Sequence, residues 1–174
     1  MKFLIKKAII HQNGQEDSSP KDILIENGII TSIAKGITDG KATVIESANL
    51  HVSPGWMDIG AQPGQPGYEY RETFSSLSKC ARAGGYTTLA TFPRNTPPIQ
   101  SRVEIEYLQK LVASLPINFY PIGAVSQSLE GKDLSEMIDM FHAGAVAFSD
   151  GRKIVIEAGL LTRAMEYVMP LPTP

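Results

Sequence analysis

The strand–helix alternation after residue 55 constrains the fold of this chain most strongly. The segments GWMDIG, YTTLATF, INFYPIGAV and AVAFSD are each followed by a helix-compatible segment, namely RETFSSLSKCARAG, SRVEIEYLQKLVASL, DLSEMIDMFHAG and IEAGLLTRAMEYV. Repeated βα units predict a parallel sheet covered by helices. An eight-stranded barrel typically needs about 250 residues. With 174 residues, the chain is predicted to be α/β, with four βα units that form half of a TIM (β/α)8 barrel.

The first part of the chain has a different, strand-only pattern. DILIENGIITSI contains two apolar runs around Asn27-Gly28, a dipeptide that tolerates the positive φ values of a tight hairpin turn. TVIESANLHVSPG adds a short strand that ends at Pro54-Gly55. We therefore expect a small β-strand module over residues 1–54 and the partial barrel over residues 55–174.

Helix ends and buried helix faces are also predicted from local patterns. Ser101 with Glu104, and Asp133 with Glu136, have the spacing of N-terminal capping boxes. The apolar residues at helical spacing, expected to pack on the sheet, are Val103, Tyr107, Leu108 and Leu111 in the second helix, and Leu134, Met137, Ile138 and Phe141 in the third.

Charge and cysteine content exclude several classes of protein. The 16 basic and 18 acidic residues are interspersed, so a nucleic-acid partner is not expected. The start MKFLIKKAII contains charges, and no apolar run reaches the roughly 18 residues that span a bilayer, which predicts a cytoplasmic protein without membrane contact. Cys80 is the only cysteine, which excludes an intramolecular disulfide, and we expect it to be a buried structural thiol.

Four segments in the same order carry a resemblance to a known family. They are SPGWMDIGAQPGQPGYEYRET, ARAGGYTTLATFPRNTPPIQS, YPIGAVSQSLEGKDLSEM and AGAVAFSDG. Together they resemble dihydroorotases of the multifunctional-complex type, which belong to the amidohydrolase superfamily, and the resemblance covers nearly the whole chain. It implies a β-sandwich beside a zinc-dependent TIM barrel, and reversible ring closure of N-carbamoyl-aspartate to dihydroorotate as the family reaction.

The first barrel strand departs from the family pattern at the metal ligands. The family has DIHVHLREPG, with a His-x-His metal pair and an arginine that holds a substrate carboxylate, whereas this chain has DIGAQPGQPG. A gapless match places Gly60 and Gln62 at the two histidines and Gly64 at the arginine. Glycine has no side chain to donate, and a neutral amide is a poor zinc ligand. The resemblance therefore implies that the first two ligands are lost.

The second and fourth barrel strands depart as well. Where the family has Met-Pro-Asn-Thr with a substrate-binding asparagine, this chain has Phe-Pro-Arg94-Asn95-Thr. The gapless match replaces that asparagine by Arg94, and a one-residue slip restores it as Asn95; we favour the replacement. Asp150, in the position of the family's Phe-Thr-Asp-Asp-Gly, is the only surviving ligand candidate. We expect it to cap the following helix or to pair with Arg152 or Lys153.

No histidine of this chain is expected to replace the lost ligands. His11 and His51 belong to the strand module and His142 to the third helix, so none is predicted at the end of a barrel strand. The remaining ligands implied by the family would lie beyond residue 174. Without a metal that lowers the pKa of a bound water, the family reaction has no nucleophile. We therefore expect neither zinc nor another cofactor in this chain.

Three interpretations follow from the residues and the resemblance. The first is a non-catalytic homologue kept as a binding or scaffold subunit; the resemblance implies aspartate transcarbamoylase or an active dihydroorotase subunit as partner. The second is a zinc-dependent cyclic amidohydrolase whose full-length form or partner supplies the missing site. The third is a truncated product, because the chain stops in MPLPTP. An open half barrel also predicts self-association through Leu89, Ile122 and Val146, expected to be exposed.

Overall fold

The chain forms two compact units, each with its own sheet. The computed structural model describes residues 1–12 and 14–172, with side chains for all of these except residues 15–18. The units are Met1–Pro54 and Gly55–Pro174. Within the described ranges, no helix is long and apolar enough to cross a membrane.

The N-terminal unit contains strands only, as the sequence predicts. Strand β1 (Lys2–Gln12) pairs antiparallel with β2 (Gln15–Glu26), which pairs antiparallel with β3 (Ile29–Ala34). Two short strands, β4 (Thr43–Ile45) and β5 (His51–Val52), pair parallel with successive parts of β1. The result is one five-stranded sheet.

The predicted hairpin between β2 and β3 is confirmed. Asn27 and Gly28 connect the strands with φ values of 51° and 83°, as a type I′ turn requires. The few buried apolar side chains of the unit lie on β1 and β2, at Leu4, Ala8 and Ile23.

A buried carboxylate connects β1 and β2 to the segment after β3. Asp22 accepts hydrogen bonds from the Lys6 ammonium at 2.8 Å and from the backbone N–H groups of Lys7 and Ile37, both at 2.9 Å. The hydrogen bond from Lys6 is the main reason that the pKa of Asp22 lies below its usual value. The ionised carboxylate is therefore part of the folded framework.

The second unit has the strand–helix alternation expected of half a barrel. Its four strands are hydrogen-bonded in the order β6-β7-β8-β9 and all pairs are parallel, which confirms the prediction. In chain order the elements are β6 (Trp56–Ala61), α1 (Phe74–Ala83), β7 (Tyr86–Thr91), α2 (Arg102–Val112), β8 (Asn118–Gly123), α3 (Met137–His142), β9 (Ala147–Phe148) and α4 (Ala158–Val168). Of the proline-rich ending, residues 173 and 174 lie outside the described residues.

The two faces of this parallel sheet have different surroundings. Leu89 of β7 and Phe119 of β8 are in register and pack against α1, which identifies the helix-covered face. Side chains alternate between the two faces of a strand, so the residues next to this row lie on the opposite face. They include Met57 and Ile59 of β6 and Tyr120 of β8. Ile59 is 72% exposed. We call this opposite side, defined by Met57, Ile59 and Tyr120, the inner face.

The expectation that Leu89, Ile122 and Val146 are exposed in the open half barrel is partly wrong. Leu89 and Ile122 are each only 3% exposed, whereas Val146 is 37% exposed. Leu89 points toward α1 instead of the inner face. Ile122 lies two positions after Tyr120 in β8, and so on the same face of the strand, but its side chain is buried.

Helices α2 and α3 differ in detail from their predicted patterns. In α2, Leu108 is buried and Leu111 packs against the core as predicted, whereas Val103 and Tyr107 are exposed and Ile105 is buried. Ser101 is the N-cap, but its hydroxyl bonds the Glu104 carboxylate and makes no cap hydrogen bond.

The predicted start of α3 at Asp133 is wrong. Leu134 forms an isolated antiparallel bridge with Ser126, and the Ser135 N–H donates to the Val125 carbonyl at 3.0 Å. This extended segment delays the helix, which begins after Glu136. Of the predicted face, Met137 is fully buried and packs in the main core with Met140.

Cys80 is exposed, which contradicts the expected buried thiol. Helix α1 buries the face that carries Phe74, Ser78 and Ala81. Residues two apart on a helix point to different sides, so Cys80, two positions after Ser78, faces away from the sheet.

Candidate functional site

A cavity of about 460 Å³ lies at the carboxyl ends of the parallel strands. Gln62, Arg94, Ser128 and Arg152 line it, one from each of the segments that follow β6, β7, β8 and β9. Barrel proteins place their functional residues at this end, because the loops after successive strands meet there. This cavity is therefore the candidate site.

Gly60, at the first lost ligand position, has no room for a side chain. Its φ is +108°, a conformation that residues with a Cβ rarely adopt. A Cβ on Gly60 would lie 2.8 Å from Cε2 of Phe92. The Phe92 ring thus occupies the space into which a ligand at position 60 would extend.

The other two altered positions of this segment have different surroundings. Gln62 is exposed and lines the cavity. A Cβ on Gly64 would lie 2.2 Å from the Tyr68 carbonyl oxygen and 2.8 Å from that of Glu72. The Gly64 N–H also donates to the Glu72 carbonyl at 3.0 Å. An arginine at position 64 is incompatible with this folded loop.

Arg94 and Asn95 are adjacent but have different roles. Asn95 is 5% exposed, and its amide donates to the carbonyls of Gln65 at 2.6 Å and Pro63 at 3.5 Å. Asn95 therefore joins the loop after β6 to the loop after β7. Arg94 is exposed and lines the cavity. Both residues border the site, and which of them corresponds to the family asparagine stays a prediction.

Asp150, the surviving ligand candidate, is buried at 5% exposure. Its Oδ1 accepts from the backbone N–H groups of Val125 at 2.8 Å and Ser126 at 3.0 Å, and its Oδ2 accepts from the Ser126 hydroxyl. The expected cap of α4 or ion pair with Arg152 or Lys153 is wrong, because α4 starts only at Ala158 and the carboxylate points to the β8 loop. Asp150 fixes that loop.

The residues present do not fit a zinc ion at this site. Gly60 offers no donor atom, Gln62 offers only a neutral amide, and the Asp150 oxygens already accept three hydrogen bonds. Among the side chains of residues 1–12, 14 and 19–172, no three His, Cys, Asp or Glu come together in a way that would hold a metal ion.

The three histidines belong to β1, β5 and α3. His11 and His51 are neighbours on β1 and β5, with 2.7 Å between Nε2 of His11 and Nδ1 of His51, and their rings stack. His142 is the last residue of α3. None of the three lines the cavity at the strand ends.

Four cationic side chains line the cavity: Arg71, Arg94, Arg152 and Lys153. None of the described residues that line it is acidic. Glu130, close by, is paired with Lys132 at 2.9 Å. That hydrogen bond is the main reason that the pKa of Glu130 lies below its usual value, and the charge of Lys153 lowers this pKa further.

Sequence reasoning missed two features of the site. Arg71 was not singled out, although it follows β6 in the same segment as Gln62, and its guanidinium lies 5.9 Å from the Tyr68 ring centroid. Phe92 was treated only as part of a motif. Its contact with Gly60 depends on the pairing of β6 with β7, which the sequence does not specify.

The parallel strand order and the position of the cavity are those of half a (β/α)8 barrel. Among solved structures, the L-hydantoinase (dihydropyrimidinase) from Arthrobacter aurescens superposes with a TM-score of 0.80 over 96% of this chain and 38% of that one, at 22% sequence identity. At this identity the likeness shows the fold alone.

The sequence comparisons define the family. The dihydro-orotase-like family matches residues 50–172, so the chain belongs to that family. The dihydroorotase of Caldanaerobacter subterraneus subsp. tengcongensis is 38% identical over 96% of this chain and 39% of its own length. That of Syntrophus aciditrophicus is 36% identical over 98% of this chain and 41% of its own length. The chain thus spans about two fifths of these curated relatives.

Proposed function

We propose that this chain is a cytoplasmic, non-catalytic dihydroorotase-like subunit of pyrimidine biosynthesis that acts as a binding or scaffold component. The proposal rests on the residues that occupy the positions of the family's metal ligands. Phe92 blocks the side-chain space at Gly60, Gln62 offers a neutral amide, and Asp150 is held in the framework. Zinc hydrolases need at least three ligands to hold the metal and activate a water.

The family supplies the biological setting of the proposal. The relatives that match nearly the whole chain are named dihydroorotases, which supports a place in pyrimidine biosynthesis. Aspartate transcarbamoylase or an active dihydroorotase subunit is the proposed partner, because a protein that keeps the fold without the ligands keeps a binding surface. The alternative is a zinc-dependent cyclic amidohydrolase whose full-length form or partner supplies the missing site; the 39% coverage of the first relative favours it.

Zinc content and hydrolysis decide between these two functions. Purified chain, dialysed against a mild chelator, is analysed for zinc and assayed for hydrolysis of dihydroorotate, alone and with an equimolar active dihydroorotase or aspartate transcarbamoylase. The proposal expects no stoichiometric zinc, no turnover by the chain alone, and a stable complex by analytical ultracentrifugation. Near-equimolar zinc together with turnover would establish the alternative, and failure to bind either partner would remove the scaffold role.

A further inference from the structure

We infer that the cavity at the carboxyl ends of β6–β9 binds a small phosphate-bearing ligand with at least three negative charges. Cationic side chains line the same cavity as Gln62, which stands at one of the family's metal-ligand positions. Arg71 reaches it from the segment after β6, Arg94 from the segment after β7, and Arg152 and Lys153 from the segment after β9. Cations from three separate loops thus meet in one cavity of about 460 Å³.

Among the described residues, none of these four cations is in an ion pair with a carboxylate, although the charge of Glu130 also acts on Lys153. Some basic side chains elsewhere are paired, as Lys6 is with Asp22 at 2.8 Å and Lys132 with Glu130 at 2.9 Å. The chain has a net charge of -2, so acidic residues are not scarce. A cavity lined by one sign of charge concentrates ligands of the opposite sign.

The charge and geometry of the donors select the ligand class. Guanidinium groups bind both phosphate and carboxylate oxygens through two parallel hydrogen bonds, and three of the four cations are arginines, so the number of charges separates the two classes of ligand. A ligand with one or two carboxylates would leave two or more positive charges uncompensated, whereas inorganic pyrophosphate carries about three negative charges near neutral pH. The cavity volume lies in the usual range of small-molecule sites.

The walls of the cavity are held in place before a ligand arrives. Asp150 fixes Ser126, and the Ser126 hydroxyl accepts from the Gly131 N–H at 2.8 Å. The Ser128 N–H donates to the Gln100 side chain at 2.6 Å. The Cδ of Arg94 lies 3.1 Å from the position that a Cβ would take on Gly151, so the arginine stem crosses the loop after β9 where glycine leaves room. Such preorganisation lowers the entropic cost of binding.

This inference goes beyond the proposed function, since a scaffold needs no small ligand. It shares with that proposal only the requirement that no metal occupies the cavity. A zinc-free chain that fails to bind pyrophosphate would overturn the inference and leave the proposed function intact. A zinc-loaded chain that hydrolyses dihydroorotate would overturn both.

The test is isothermal titration of the full chain with inorganic pyrophosphate, without added metal, beside titrations with malonate and N-carbamoyl-L-aspartate. We expect one pyrophosphate per chain with a dissociation constant below about 100 µM, weaker binding of both dicarboxylates, and an affinity that falls with added salt. Tighter binding of either dicarboxylate would overturn the phosphate class. The absence of saturation at about 1 mM pyrophosphate would overturn the site.

Matched charge variants locate the binding. Arg94→Gln and Arg152→Gln each remove one cation from the cavity and should weaken pyrophosphate binding about tenfold. Arg82→Gln removes the same charge from the exposed side of α1, outside the cavity, and should leave the affinity unchanged. All three positions are exposed, and circular dichroism verifies that the variants fold. Equal loss in all three, or loss in none, would contradict binding in this cavity.

Discussion

Asp150 and Ser126 are joined by two hydrogen bonds, one from the Ser126 backbone N–H at 3.0 Å and one from its hydroxyl. Both residues are buried, at 5% and 0% exposure. The pair ties the end of β9 to the loop that follows β8. A carboxylate that can act as a ligand in a metal enzyme is here a framework residue, because backbone donors surround it.

The first prediction follows from this framework role. Asp150→Ala leaves the N–H groups of Val125 and Ser126 buried without their acceptor, so we expect the free energy of unfolding to fall by about 3 kcal/mol. Asp139→Ala removes an exposed carboxylate from α3 and should change it by less than about 0.5 kcal/mol. Urea denaturation in the presence of a chelator measures both. An Asp150→Ala midpoint equal to that of the wild type would show that the carboxylate does not hold the loop.

The second prediction concerns restoration of the lost ligands. The double variant Gly60→His and Gln62→His should show no dihydroorotase activity with added zinc, because position 60 is closed by Phe92 and position 64 cannot hold an arginine. Turnover well above the metal-free control would refute this.

Alanine variants separate the two obstacles at position 60. Gly60→Ala meets both the positive φ and the Phe92 ring, whereas Gly85→Ala meets a positive φ of 81° with nothing within 4 Å. We expect each to lower stability by about 1–3 kcal/mol, with the larger loss at Gly60. Thermal denaturation gives the order, and a larger loss at Gly85 would mean that Phe92 is no obstacle.

The fold could be predicted from the sequence because its signals are local. The four βα units, the Asn27-Gly28 turn and the lack of helix before residue 55 each depend on neighbouring residues. The errors arose where two local patterns compete. In α2, Val103 with Tyr107 and Ile105 with Leu108 both have helical spacing, and only packing against the sheet decides between them.

The site could be predicted only in part, since its residues meet through the tertiary fold. The altered positions Gly60, Gln62 and Arg94 were found from the resemblance, and the structure places Gln62 and Arg94 at one cavity. The partners of Asp150 lie 24 and 25 residues earlier in the chain. Nothing in the sequence around Asp150 distinguishes those backbone donors from a helix cap or a neighbouring cation.

The third prediction is a loss of stability of the N-terminal unit in acid. The pKa of Asp22 is lowered in the folded state, first by the hydrogen bond from Lys6, and the unfolded value is about 3.9. A depressed pKa contributes stability that is fully present above the unfolded value and is lost as the pH falls through the folded value. We therefore expect the urea midpoint to fall between about pH 5 and pH 2.

Two variants test this assignment by circular dichroism. Asp22→Asn should be less stable at neutral pH and should lose most of the pH dependence, because the amide does not titrate. Lys6→Met removes the largest cause of the lowered pKa but leaves the two backbone donors, so it should flatten the dependence only partly. A pH dependence in Asp22→Asn equal to that of the wild type would assign the effect to other carboxylates.

The last prediction concerns self-association through the inner face. Met57, Ile59 and Tyr120 are 49%, 72% and 41% exposed, and within the described part of the chain the edge strands β6 and β9 each have one hydrogen-bonded neighbour in the sheet. Burying a few hundred square ångströms of this surface contributes on the order of 5–10 kcal/mol before the entropic cost of association. Light scattering across a dilution series should therefore show a concentration-dependent mass.

Ile59→Lys should shift association to higher concentration, while Val103→Lys, at a position of α2 that is also 72% exposed, should leave it unchanged. Because both variants add the same charge at equal exposure, a difference between them reports the inner face alone, and a folded wild-type monomer at high micromolar concentration would count against this interface.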